Sequence, residues 1–188
     1  MATYNPDAVI RGEAARLNLG YVNKFLAVYR QSGYRTRLEG IEWYANARRD
    51  IRYLARTLDL PFSSVAYAVA ALSPKMSWGH NLQAVENLAK GLDAIGMRGP
   101  VAQARACLNG DLSALSGAKV TAFAFALCGD SSTAVIDRWM MRVLCNDRIV
   151  PTQRQYGIIS KSLKVAARMV GLPTSQFQAV VWLQVRNK

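Results

Sequence analysis

The stretch "LSGAKVTAFAFALCGDSSTAVIDRWMMRVL", residues 115–144, decides how the chain is read. Gly117 stands just before an apolar helical run, and Lys119 falls in the first turn of that run. A polar return loop through Gly129-Asp130-Ser131-Ser132 follows. Ala134-Val135-Ile136 then reads as a buried segment leading to Asp137, where a second helix begins. Two helix starts, one bearing an amine and one a carboxylate, lie eighteen residues apart. The spacing is filled by one helix of about three turns and a loop, so the sequence alone lets the two groups face each other across a cleft.

Outward from this stretch almost every segment has helical periodicity. Val9, Ala14, Leu17, Tyr21, Phe25 and Val28 predict a helix over about 7–31. A loop at Ser32-Gly33 precedes a helix over 40–58. Pro61 opens another, which stops before Pro74, and Ser77 is placed to cap a helix over 78–94. Further helices are expected over 100–108, within 113–128, and over 137–146, 152–170 and 174–186. Asn109-Gly110-Asp111 and Gly171-Leu172-Pro173 mark turns. No period-two segment of useful length and no internal repeat is visible, so the expected class is all-α.

The chain has 188 residues, 51% hydrophobic and 19% charged, which suits one domain or two small lobes sharing a cleft. No apolar run is long enough to span a membrane, and the charged start does not read as a signal peptide. Cys107, Cys128 and Cys145 have no CxxC spacing, so they read as reduced packing residues of a cytoplasmic protein, with no metal ligand set. Lys and Arg total 24 against 12 acidic residues, a net charge of +12. That imbalance points to a polyanionic partner. Because the basic residues are scattered and not gathered on one amphipathic helix, nucleic acid is favoured over a membrane surface.

Gly117 and Ala118, at a helix start, present backbone N–H groups suited to a phosphate. The positive end of the helix dipole and partial burial both disfavour a charged Lys119, and a neutral lysine is a nucleophile able to form a Schiff base. The alternative is a plain turn with a solvated lysine. Asp137 reads equally as an N-cap. A capping carboxylate held rigid can also stabilise an oxocarbenium-like transition state.

Taken together, Gly117-Ala118-Lys119, the apolar helix, Asp137 and Arg142-Val143 resemble the helix-hairpin-helix DNA glycosylase superfamily. The resemblance implies a two-lobed all-α fold with its active cleft between lobes, approximately 62–135 for the hairpin lobe and 1–61 with 136–188 for the other. It implies that Asp137 assists departure of a base and that Lys119 attacks C1′. It also implies that the base is flipped from the stack. Gly117, Ala118, Arg138, Arg142 and Lys75 would contact DNA, and a monovalent cation could sit at the hairpin, with no other cofactor. Two features depart from the family pattern. Leu115-Ser116 replace the first glycine of Gly-x-Gly, which alters the ion site and phosphate grip, and the iron–sulfur cysteines of one branch are absent.

Residues 71–82, "ALSPKMSWGHNL", and 178–186, "QAVVWLQVR", are similar to a phage-associated branch that includes glutamyl/putrescinyl-thymine pyrophosphorylase-like proteins. That likeness implies an alternative, a transferase on a hypermodified pyrimidine. A third reading is a DNA-binding module without catalysis. Ser73, Met76, Trp78 and Asn81, with Glu42, are the expected base pocket; in the plainer reading Trp78 and Met76 pack the core and Asn81 ties down a loop. Trp182 reads as core. Arg48, Arg49, Arg52 and Arg56 recur at helical spacing and form either a phosphate-following face or a solvated one.

Overall fold

The computed structural model describes residues 17–144 and 150–186. Among these residues there are nine α-helices, one 3-10 turn and no strand. The helices are α1 (Leu19–Gln31), α2 (Tyr34–Leu58), α3 (Phe62–Leu72), α4 (Trp78–Ala89) and α5 (Arg98–Leu108). After the 3-10 turn (Leu112–Ala114) come α6 (Ala118–Leu127), α7 (Arg138–Val143), α8 (Gln153–Met169) and α9 (Thr174–Arg186). The all-α expectation holds.

The chain forms two compact units, 45–129 and 1–44 with 130–188. Neither boundary falls at the Pro61 or Ile136 positions taken from the sequence. The first lies inside α2, which is continuous through residue 44 and contributes to both units.

In the unit 45–129, α3 is the central element. Its sequence FSSVAYAVAAL buries Val65, Ala66, Ala68, Val69, Ala70, Ala71 and Leu72, so it is apolar nearly all round and must be covered by neighbours. α4, α5 and α6 pack against it. Its alanines carry no bulk beyond Cβ, which lets those helices approach closely.

In the other unit α9 plays this part. Phe177, Ala179, Val180, Val181 and Leu183 are buried, and α1, α7 and α8 pack on α9. α8 is fixed at its start by a capping box between Thr152 and Gln155. The first part of α2 also meets α9. A Cβ at Gly40 would lie 2.6 Å from the Val180 backbone, so only glycine fits there. Tyr44 Oη donates to Gln178 Oε1 at 3.1 Å in the same buried layer.

Several helix limits differ from the sequence reading. α1 begins at Leu19 because the Asn18 side chain accepts from the Tyr21 N–H and caps it; residues 7–16 lie outside the described residues. α2 begins at Tyr34, six residues earlier than expected, and runs unbroken through Gly40, which packs closely on Val180 of α9. α4 stops at Ala89, short of residue 94. Gly91 adopts φ +75° and Leu92 N–H bonds back to Asn87 O at 2.9 Å, a glycine-terminated C-cap. The expected end of the 137–146 helix reaches into residues 145–149, outside the described residues, and Cys145 lies there too.

Candidate functional site

Asp137 belongs to the unit 1–44 with 130–188. The segment before it is pinned by Tyr156, whose hydroxyl donates to Ala134 O at 2.9 Å and accepts from Ile136 N at 3.3 Å. Asp137 follows with an extended backbone and is the N-cap of α7. Its Oδ1 accepts from Trp139 N at 2.9 Å and Met140 N at 3.0 Å, satisfying two of the N–H groups that a helix start leaves open. Its Oδ2 accepts from Trp182 Nε1 at 3.1 Å. Both carboxylate oxygens are therefore held, and the group is half-buried.

Trp182 is not the core residue expected from "QAVVWLQV". It is half-exposed, its ring meets Trp43 edge-on at 6.0 Å between centroids, and Arg186 lies over it at 4.8 Å. Its role was missed because an indole N–H has no sequence signature for its acceptor. Lys24 was missed likewise; its Nζ donates to Leu144 O at 2.9 Å and caps the C-terminal end of α7. Arg138 and Arg142 are exposed on successive turns of α7. Their guanidinium groups lie over the Trp139 ring, at 5.0 Å and 4.4 Å, giving a basic and aromatic surface.

Lys119, Gly117, Ala118, Lys75, Ser73, Met76, Trp78 and Asn81 all belong to the unit 45–129. Gly117 is the N-cap of α6 with φ +97° and no side-chain cap, so the first-turn N–H groups carry no covering side chain. Lys119 is the second residue of α6. Its Nζ donates to Ser73 Oγ at 3.1 Å, so two residues given separate roles in the sequence meet. Ser73 ends α3, and the turn after it places exposed Lys75 at φ +62°, a left-handed conformation unusual for a side-chain-bearing residue. Met76 is half-buried and its methyl lies 4.0 Å from where a Cβ on Gly96 would stand.

Trp78 donates from Nε1 to Asp50 Oδ2 at 2.8 Å, a partner that the sequence did not reveal. Asn81 is buried. Its Nδ2 donates to Val69 O at 2.9 Å, joining α4 to α3, while its Oδ1 is buried with no hydrogen-bond donor. Asn81 therefore does tie helices together, and one polar atom is left over. Glu42 is exposed on α2 and falls in the other unit. His80 is exposed.

The cysteines do not all pack as expected: Cys107 is buried but Cys128 is exposed. Burial, with Asp111 adding a smaller push, raises the Cys107 thiol to about 11, and partial burial of the Cys128 sulfur raises that thiol too, although the residue as a whole is exposed. Tyr67 is raised by burial and then by the two cysteines. These shifts favour the neutral forms, which suits packing and not nucleophilic use. Among the described residues no group of three or more His, Cys, Asp or Glu side chains is arranged to hold a metal ion. No described helix is long and apolar enough to cross a membrane.

No curated protein and no solved structure matches the chain. Residues 8–188 match one described family over almost the whole sequence, and the chain belongs to it: the Family of unknown function (DUF7178).

Proposed function

We propose that this chain acts on a nucleobase in DNA as a helix-hairpin-helix glycosylase-like enzyme, with Asp137 as the central carboxylate and Lys119 as the amine nucleophile. The observation that carries the proposal is the fixing of Asp137 by three N–H donors, from Trp139, Met140 and Trp182. A carboxylate so oriented loses little freedom when positive charge develops on a sugar ring, and that preorganisation is what electrostatic stabilisation requires. Support also comes from Lys119 in the first turn of α6, from the net charge of +12, and from the motif that joins Gly117, Lys119, Asp137 and Arg142.

In the proposed step the neutral amine of Lys119 bonds to C1′ as the C1′–N bond breaks. The departing base takes the electron pair and the proton that the amine sheds. Ring opening turns the C1′ amine into an imine, which borohydride reduces to a stable amine linkage. In the monofunctional form water replaces the amine and no adduct forms. Arg138, Arg142, Lys75 and the α6 N-terminus are assigned to phosphate, and Ser73, Met76, Trp78, Asn81 and Glu42 to the base.

The same three bonds also favour a second reading, a DNA-binding module in which Asp137 is only a cap, since they account for the carboxylate structurally. Incubation with duplexes carrying damaged or modified bases, followed by borohydride, separates the two. Base release or a trapped adduct, lost in Asp137→Asn, supports the enzyme. Neither product on any substrate, with DNA affinity intact in Asp137→Asn, supports the module. A change in base mass without abasic sites points instead to the transferase.

A further inference from the structure

We infer that the unit 45–129 carries a nucleotide-binding pocket at the junction of α2 and α3, separate from the residues assigned above. It is a surface pocket of about 480 Å³, open to solvent and lined by Arg52, Arg56, Asp59, Leu60, Pro61 and Phe62. This volume falls in the range of small-ligand sites and holds one nucleoside phosphate.

The pocket's walls divide the work of recognition. Arg52 lies over the Phe62 ring, 5.6 Å from its centroid, so a planar guanidinium is held against a planar ring. A base would stack on the face of this pair that the partner leaves open. Arg56, one helical turn on, is exposed and forms no ion pair among the described residues, leaving its fork of donors for a phosphate. Asp59 supplies an acceptor for a sugar hydroxyl or a base N–H.

The backbone at Asp59 supports a retained role for this carboxylate. α2 ends in a Schellman motif: Leu60 N–H bonds to Ala55 O at 3.0 Å and Asp59 N–H to Arg56 O at 3.3 Å. The residue at the turn adopts φ +53°, the left-handed conformation that normally selects glycine. Asp59 occupies it at some conformational cost and adds a carboxylate to a pocket whose other charged lining groups are two arginines. That composition fits a nucleotide better than bare phosphate. The ligand is a nucleoside phosphate, drawn either from a single strand or from the free pool.

The test measures affinity of the full chain for a short single-stranded oligonucleotide, by fluorescence anisotropy, and for a free mononucleotide, by calorimetry. The expected result is binding of at least one probe, weakened about tenfold by Phe62→Ala and more by Arg52→Ala/Arg56→Ala. The charge-matched control Arg98→Ala/Arg105→Ala, on α5, is expected to change it little. Asp59→Gly keeps the turn and removes the carboxylate; it should fold at least as stably and bind several-fold more weakly. Binding of the oligonucleotide alone identifies a strand site, and binding of the mononucleotide identifies a free-ligand site. The inference is overturned if neither probe binds, if both double variants weaken binding equally, or if Asp59→Gly tightens it. None of these readouts depends on Asp137 or Lys119, so failure here leaves the catalytic proposal standing, and the reverse.

Discussion

The indole N–H of Trp182 donates to Oδ2 of Asp137 at 3.1 Å, linking α9 to the N-cap of α7. A hydrogen bond to a charged acceptor contributes about 1.5–3 kcal/mol, and partial exposure of both groups places this one at the low end. Trp182→Phe removes the donor and leaves a ring against Trp43. We expect a loss of about 1.5 kcal/mol, read as a lower midpoint of urea unfolding at an unchanged slope. Under the catalytic proposal base release slows as well, because one carboxylate oxygen is no longer held.

Substitution of Asp137 itself separates capping from chemistry. Asn keeps an oxygen for the Trp139 and Met140 N–H groups but turns an amide N–H₂ towards the Trp182 indole, where two donors cannot bond. Ala loses every acceptor. Asp137→Asn is expected to cost about 1 kcal/mol and Asp137→Ala about 2–3 kcal/mol, combining the cap with the lost indole bond. If Asn matched the wild type in stability while abolishing base release, the carboxylate would be chemical first and a cap second.

Two glycines are fixed for different reasons, and alanine exposes the difference. At Gly117 a Cβ meets only Val120 Cγ2, at an ordinary 3.6 Å, but φ is +97°. The cost there is backbone strain, about 1–3 kcal/mol, and it falls on the start of α6 that positions Lys119. At Gly40 the backbone conformation is helical, and the cost is a 2.6 Å approach to the backbone of Val180 on α9. Gly40→Ala is expected to destabilise by about 2–3 kcal/mol or more, since a packed helix must move. Thermal unfolding measures both.

Helical periodicity and caps made most of the fold legible. α8 and α9 fall within about a residue of the expected 152–170 and 174–186, because local chemistry, the Thr152 cap and the Gly171-Leu172-Pro173 turn, sets those limits. Periodicity places the start of α2 six residues late, at 40, because the turn of helix before Gly40 (YRTRLE) is mostly polar and shows little apolar periodicity. Of the candidate site, Asp137 as an N-cap and Lys119 in a first turn were legible from neighbours within a few positions. Trp182, Tyr156 and Asp50 were not, since each acts on a residue 20 or more positions away. Side-chain hydrogen bonds at that separation follow from packing and leave no periodic trace.

The titrating groups of the unit 45–129 predict where its alkaline stability fails. Cys107 is pushed up to about 11 by burial, and Cys128 and Tyr67 are also raised. A raised folded value means the neutral form is preferred in the fold, so the unfolded state releases protons first as pH rises. The contribution is fully present below the ordinary thiol value of 9.0 and is lost as pH climbs through about 11. Urea midpoints measured between pH 8 and pH 11 should therefore fall across that window. Cys107→Ala gives a lower but flatter profile, as the cavity costs stability while the titrating thiol is gone. In the acid range Asp130 runs the other way. Burial raises its carboxyl, but hydrogen bonds from Thr133 and Ser132, with the charge of Lys164, outweigh this and hold it low. Its contribution is present above the ordinary value of 3.8 and disappears as pH falls through the lowered one. Asp130→Asn should remove that acid dependence and leave the alkaline limb of the profile unchanged.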